Sequence, residues 1–417
     1  MIGQSLAPAN LSRDLAALLP GGLTLVSSCS AESGILADAV ENGGEDIAPS
    51  TFSGIFVPGL NRRTYLANSR SKILSFFMTP ELKAHSNQVD FLPLCYQDIL
   101  AYYREHKPQA ALFMCSPPDK NGQCSFGTET AFIAELWRDI PVRIAHINPL
   151  MPWTTGDAGI PFSELTAYVE AEQELFGMPA GKADATSTAI ANHIAPYIPD
   201  GATLQTGLGK IPDAVLDALH HRKDLYLHTG LMGDAALRLV QSGAMASGQS
   251  ATIGVAIGSA DLYAGLGHEA FQFRPISVTH GLASLGAIDG LITINSALEV
   301  DLYGQVYAEL TPKGFMSGPG GASDFARGAR MGEGGLRIIA FPAGAANGTI
   351  SRIIAPQEAT GPVSLGRMDV DIIVTEYGVA DLRGKSYEAR AQALIAIAAP
   401  EHKDVLKQAW ATLSARF

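Results

Sequence analysis

Residues 18–40 read LLPGGLTLVSSCSAESGILADAV, and residues 197–219 read YIPDGATLQTGLGKIPDAVLDAL. At an offset of 179, Pro20 falls on Pro199, Gly22 on Gly201, Thr24 on Thr203 and Leu25 on Leu204. Further along, Leu36 meets Val215 and Ala39 meets Ala218. Each stretch holds an amphipathic helix end, a Pro/Gly turn, a short β-prone run, a loop of small residues and a second helix. One strand–loop–helix unit is thus used twice, almost half a chain apart. This predicts two related α/β domains, 1–180 and 181–417, joined within AEQELFGMPAGKADATS (171–187), a segment rich in small residues and helix breakers.

Other segments extend this reading. QAALFMCSP (109–117) and VRIAHINP (142–149) are apolar runs ending in turn residues. In the second half, GLITINSALEVDL (290–302), GLRIIAFPAG (335–344) and VDIIVTEYG (370–378) are β-rich. Continuous apolar runs, as opposed to alternation, suit strands covered on both faces in parallel or mixed sheets between helices. SYEARAQALIAIAA (386–399) is expected to be the closing helix.

Composition narrows the functional class. The 417 residues are 47% apolar and 17% charged, ample for buried cores and unlike a disordered or fibrous chain. With 29 basic against 41 acidic residues the net charge is −12, and no basic cluster offers the counter-charge that nucleic acid requires. Cys29, Cys95, Cys115 and Cys124 are too few and too scattered for a disulfide framework, and no C-x-x-C spacing points to zinc. The start, MIGQSLAPANLSRDL, lacks a secretory pattern, and no apolar run reaches the roughly 18 residues of a membrane span. The expectation is a cytoplasmic protein with neither nucleic acid nor membrane as partner.

Two glycine loops carry the chemistry. Thr206-Gly207-Leu208-Gly209-Lys210 lies between a strand and a helix expected to begin near Pro212. Glycines there let backbone approach a ligand, and the open N–H groups of a helix start favour a phosphate or a developing oxyanion. It is no dinucleotide fingerprint, because Pro212 stands where a third glycine is needed. Gly384-Lys385-Ser386 fails as a phosphate loop, with Val379 at the first glycine position, and no G-x-S-x-G occurs. The second cluster is Gly318-Pro319-Gly320-Gly321-Ala322-Ser323-Asp324-Phe325, whose alternative reading is a plain loop.

SPPDKNGQCSFGTE (116–129), HINPLMPWTTGD (146–157), LQTGLGKIPDAVL (204–216), INSALEVDLYGQV (294–306), SGPGGASDFARGA (317–329), SRII (351–354) and VTEYGVADLRGKSYEARAQALI (374–395) follow one another in a recognisable order. Together they resemble the acetyl-CoA hydrolase/CoA-transferase family, in the branch with 4-hydroxybutyrate CoA-transferase. The resemblance implies two similar α/β domains with the active site between them. It also implies acyl-CoA thioester chemistry: a glutamate attacks the acyl-CoA carbonyl, CoA leaves and returns to the enzyme, and a second carboxylic acid resolves the intermediate. By the same resemblance, the main-chain amides of Leu208 and Gly320 serve as oxyanion donors, with Gly207, Gly209, Gly318 and Gly321 shaping the CoA-binding loops. Acyl-CoA and a carboxylic acid acceptor are the implied partners, coenzyme A thioester is the substrate with no resident cofactor or metal, and a homo-oligomer is expected.

The chain departs from that pattern at one position. The family glutamate lies in His-Thr-Glu, whereas this chain reads Leu227-His228-Thr229-Gly230-Leu231-Met232-Gly233-Asp234. Ser277-Val278-Thr279-His280-Gly281 also lacks the Asn-x-Pro of many relatives. Glycine cannot attack a carbonyl, so three readings stay open: an acyl-CoA hydrolase or transferase using another group, a non-catalytic acyl-CoA binder, and the fold redirected to lyase or decarboxylase work. Glu32, the first-half counterpart of the Gly-Leu-Gly loop, is a candidate carboxylate, alternatively a helix-start anion. His228 is a candidate base, alternatively structural. Glu299, Asp301 and Glu376 are alternatives as catalysts or loop holders. Cys115 and Cys124 read better as buried thiols than as nucleophiles. Arg352, Arg383 and Lys385 are candidates for CoA phosphates.

Overall fold

The computed structural model describes residues 3–178, 181, 183–346 and 348–416. Contacts divide the chain into two compact units: Met1–Pro179 with Ala251–Thr279, and Ala180–Ser250 with His280–Phe417. Each has its own α/β architecture.

In the first unit a purely parallel sheet of eight strands is built from β1 (Gln4–Ser5), β2 (Gly22–Val26), β3 (Ser50–Gly54), β4 (Lys72–Ser75), β5 (Val89–Phe91), β6 (Ala110–Cys115), β8 (Val142–Ile147) and β10 (Ala167–Glu170). Its spatial order is β1-β10-β8-β6-β2-β3-β4-β5. Thr24 of β2 sits opposite Ala110 of β6 on one side and Phe52 of β3 on the other. Helices α1 (Leu11–Leu18), α2 (Gly34–Asn42), α3 (Pro80–Ala84), α4 (Tyr96–His106) and α5 (Ala131–Leu136) connect the strands. All six residues of β6 are buried, as the continuous apolar run of 109–117 predicts for a strand covered on both faces. Leu36, Phe52, Tyr65, Ile73 and Ile144 anchor the core, with the Phe52 and Tyr65 rings stacked at 5.6 Å. β7 (Gln123–Cys124) and β9 (Ile160–Pro161) form a small antiparallel pair. From the later part of the chain, β13 (Ala251–Ala256) and β14 (Phe271–Phe273) pair in parallel, with α9 (Ala260–Gly265) between them and α10 (Ile276–Thr279) after.

The second unit starts with α6 (Ala185–Ile194), held by a capping box between Asp184 and Ser187, and continues through β11 (Thr203–Thr206), α7 (Lys210–Ala218), β12 (Tyr226–Met232) and α8 (Asp234–Gln241). After α11 (Leu282–Gly286) come β15 (Ile292–Asn295), α12 (Ala322–Met331), β20 (Leu336–Ala340), β24 (Ile372–Thr375) and β25 (Gly378–Asp381). Within this unit the strand order is β12-β11-β15-β20-β24-β25, parallel except for the antiparallel β24–β25 edge. A side layer holds β16 (Glu299–Asp301), β17 (Val306–Tyr307) and β23 (Ile353–Ile354), plus the pairs β18 (Leu310–Thr311) with β19 (Gly314–Phe315) and β21 (Gly344–Ala345) with β22 (Ile350–Ser351).

The structure refines these expectations and corrects one. The β-rich run GLITINSALEVDL supplies two strands, β15 and β16, which belong to different sheets. VDIIVTEYG likewise reverses after β24 into β25. The helix expected near Pro212 begins two residues earlier, at Lys210, which places the proline within the first turn where its missing N–H costs nothing. The segment 386–399 supplies α13 (Tyr387–Ala396), but α14 (Lys403–Ser414) follows it and seats Leu406, Trp410 and Leu413 in the same core.

The edge of this core holds a buried ion pair. Asp371 accepts from the Arg337 backbone N–H at 3.0 Å, from Nε at 2.8 Å and from Nη2 at 2.6 Å. Arg337→Met strands the carboxylate and should cost about 3 kcal/mol or more in denaturant unfolding, while adding Asp371→Leu should recover most of the loss.

Candidate active site

In both units the strand order reverses around a central strand. From β2 the chain lays β3, β4 and β5 to one side and then β6, β8 and β10 to the other. From β11 it lays β12 to one side and β15, β20 and β24 to the other. Where neighbouring parallel strands send their crossovers in opposite directions, a crevice opens at their carboxyl ends, and ligands bind there. The repeated segments of the sequence occupy these two places: residues 27–33 follow β2, and Gly207-Leu208-Gly209 follows β11.

In the second unit the loop after β11 is open. A Cβ at Gly207 or Gly209 would meet nothing within 4 Å, and Gly209 holds φ +120°, a conformation that glycine adopts without strain. Leu208, Gly209, Lys210, Ser296 and Pro342 border a cavity of about 320 Å³. A second cavity, also about 320 Å³, is bordered by Asn295, Ser296, Ser317, Gly318, Gly320 and Gly321. Ser296, just past β15, lines both, so the two glycine loops flank the carboxyl end of the same strand. Gly320 has φ +61° and Gly321 caps the start of α12.

Gly230 lies near the end of β12, and its side-chain space is filled. A Cβ there would collide with the His280 ring, coming within 2.6 Å of Nε2. A Cβ at Gly321 would come within 2.5 Å of the same nitrogen. The imidazole therefore occupies a slot closed by two glycines, with the Phe325 ring tilted against it at 4.6 Å. His280 is 3% exposed, and burial together with His228 pushes its pKa down to about 3. His228 is buried on the same strand as Gly230. Between them, the Thr229 hydroxyl donates to the Thr206 carbonyl at 2.6 Å, tying β12 to the last residue of β11. The sequence singles out His280 only through a missing Asn-x-Pro. Gly230 and Gly321 are 50 and 41 residues away along the chain, so nothing local marks their convergence on it.

The first unit places a different set of groups after β2. Glu32 is not in the first turn of α2: Ser33 is the N-cap, accepting from the Leu36 N–H at 3.1 Å, and Glu32 precedes it with extended backbone. The helix-dipole argument for its anion therefore fails. Its side chain is fully buried, and among the described residues neither carboxyl oxygen has a hydrogen-bond partner. Burial pushes its pKa up to about 7, against smaller opposing effects from Asn61 and Arg63. Sequence reasoning missed Glu129, which accepts from the Ser28 N–H at 2.9 Å and whose burial raises its pKa to about 8. Between Ser28 and Glu32 the chain turns sharply, with Cys29 at φ +48°.

The structure places the other candidates as follows. Buried Asp301 accepts from the Tyr303 and Gln305 N–H groups at 3.0 and 2.9 Å, from Gln305 Nε2 at 2.8 Å and from Tyr307 OH at 3.0 Å. Glu299 takes the Thr360 hydroxyl at 3.1 Å, and Glu376 takes the Ala343 N–H at 2.8 Å. Cys115 and Cys124 are fully buried. Arg383 is held by Asp381 at 2.7 Å, and burial lowers the pKa of Arg352. Lys385 is exposed.

Buried Glu32 sets a pH dependence. A carboxyl whose pKa rises on folding stabilises the protein fully below its unfolded value near 4.5 and loses that contribution as pH climbs through about 7. The loss is roughly 3 kcal/mol at most. Thermal melts should show the parent less stable at pH 8 than at pH 5, and Glu32→Gln should flatten this slope and raise the melting temperature at pH 8.

Known proteins share this fold and much of this sequence. Residues 258–410 match the model of the acetyl-CoA hydrolase/transferase C-terminal domain. The 4-hydroxybutyrate coenzyme A transferase of Clostridium kluyveri is 34% identical over 77% of this chain and 77% of its own length. The crystal structure of RipA from Yersinia pestis superposes with a TM-score of 0.88 at 28% identity, covering 99% of this chain and 98% of that one. A 4-hydroxybutyrate CoA-transferase from Porphyromonas gingivalis gives a TM-score of 0.81 at 28% identity, with 99% and 98% covered. On these matches the chain belongs to the acetyl-CoA hydrolase/CoA-transferase family.

Proposed function

We propose that this protein acts on acyl-CoA thioesters, releasing CoA by hydrolysis or passing the acyl or CoA group to a carboxylic acid. The observation that carries this reading is the pair of glycine loops flanking the carboxyl end of β15, each bordering a cavity of about 320 Å³. A thioester carbonyl held there would direct its oxygen at main-chain N–H groups, of which Leu208 and Gly320 are our candidates. Such donors act on the charge that develops in the tetrahedral intermediate, and each is worth about 3–4 kcal/mol. CoA enters as substrate. The activities of the relatives, transfer of coenzyme A above all, support the choice of reaction class.

The chain does this without the family glutamate. At Gly230 a carboxylate has no room while the His280 ring stands in its place. In our reading no glutamate at this position forms a covalent intermediate, and the carbonyl is attacked directly.

Thiol release from a panel of acyl-CoAs, with and without acceptor acids, tests the reading. Release without acceptor marks hydrolysis, and exchange that needs an acceptor marks transfer. Calorimetric binding with neither outcome would make the protein a binder, and absence of affinity for every CoA derivative would overturn the proposal. A second test concerns the occupied slot. Gly230→Glu alone should be overpacked, lose about 1–3 kcal/mol of stability and acquire no CoA adduct. Gly230→Glu with His280→Gly should regain stability and form a hydroxylamine-sensitive CoA adduct visible by intact mass.

A further inference from the structure

We infer that the Ser296 hydroxyl donates a hydrogen bond to the thioester carbonyl of an acyl-CoA that spans the two cavities of the second unit. The inference rests on the acyl-CoA reading above and adds to it a side chain that meets the substrate and a place for the acyl group.

Among the described residues, Ser296 is the one that borders both cavities. It follows directly on Asn295, the last residue of β15, and its side chain is exposed. Leu208 borders the first cavity and Gly320 the second, so a ligand lying across Ser296 reaches both glycine loops. A thioester is likewise a junction, with an acyl group on one side and the CoA arm on the other. Matching the two junctions puts the carbonyl at Ser296.

The hydroxyl is available, being paired with none of the described residues. Other serines at these borders are committed to local turns: Ser187 donates to the Asp184 carbonyl at 3.0 Å, and Ser317 to the Gly318 carbonyl at 2.9 Å. The backbone that carries Ser296 is held. Asn295 Nδ2 donates to Gln205 Oε1 at 2.9 Å, and Gln205 is buried on β11. This amide pair ties together the ends of the neighbouring parallel strands β11 and β15. An open donor on a fixed strand end is what orienting a carbonyl requires. As the carbonyl carbon turns tetrahedral its oxygen gains charge, and the hydroxyl bonds it more strongly than in the bound substrate.

The two cavities differ in what they offer. Asp184 and Lys210, paired at 3.1 Å, stand at the border of the first. Among the described residues no charged group borders the second, where Ala297, Leu298 and Ala308 lie. The charged border suits the polar CoA arm and the uncharged one the acyl chain. The substrate so selected is a CoA ester of an apolar carboxylic acid.

The test uses the full chain with butyryl-CoA, and Ser296→Thr and Ser296→Val as a pair. The two new side chains have nearly the same shape, and only threonine keeps the hydroxyl. Turnover of the valine variant should lie roughly tenfold or more below that of the threonine variant, with KM within roughly threefold. A merely structural role would move both variants alike, in rate and in melting temperature. If the protein binds butyryl-CoA without turning it over, calorimetry of the same pair should show roughly fivefold weaker binding by the valine variant. The parent should take butyryl-CoA in preference to succinyl-CoA, whose free carboxylate meets no counter-charge in the second cavity. Equal rates and affinities for the two variants, or a preference for succinyl-CoA, would overturn the inference while the acyl-CoA reading stands. If the parent binds no CoA derivative, the acyl-CoA reading fails and the role of Ser296 fails with it.

Discussion

The organising constraint is topological. Parallel strands need crossovers, and crossovers that leave a central strand in opposite directions cannot both cover its carboxyl end. The chain meets this constraint twice, at β2 and at β11, and each strand is followed there by a loop of polar and small residues. What differs is the filling. After β11 the loop is bare backbone, with glycines at 207 and 209 and no atom within 4 Å of where their side chains would be. After β2 the corresponding loop is buried and carries Ser28, Cys29 and Glu32. One architecture thus presents open main chain in one unit and, in the other, a buried carboxyl whose pKa is raised by burial.

Much of this is legible in the sequence because it is local. The offset match of Pro20, Gly22 and Thr24 with Pro199, Gly201 and Thr203 locates both central strands, since turn punctuation and apolar runs are read over a few residues. The glycine loops are visible for the same reason. Asp301 is ambiguous in the sequence, and its four hydrogen bonds to residues 303–307 show it binding a turn.

The rest depends on distance in sequence. His280 is an ordinary histidine until β12 and the loop before α12 bring Gly230 and Gly321 against it. Glu129 sits inside a recognisable segment, yet its role emerges only when its carboxyl meets Ser28, about a hundred residues earlier. Glu32 stands in the loop that the internal repeat marks, but the helix begins after Ser33, so burial and not the helix dipole governs its proton. Breaks such as that between β15 and β16 are also hidden, because an apolar run says nothing about which sheet receives each half.

The two-glycine slot has a consequence for how the protein can change over generations. A larger residue at 230 is tolerated only once the imidazole has gone, and losing the imidazole first leaves a hole beside Phe325. Neither single replacement is neutral, so positions 230 and 280 are coupled through the one space they share, and any change at either must be matched at the other.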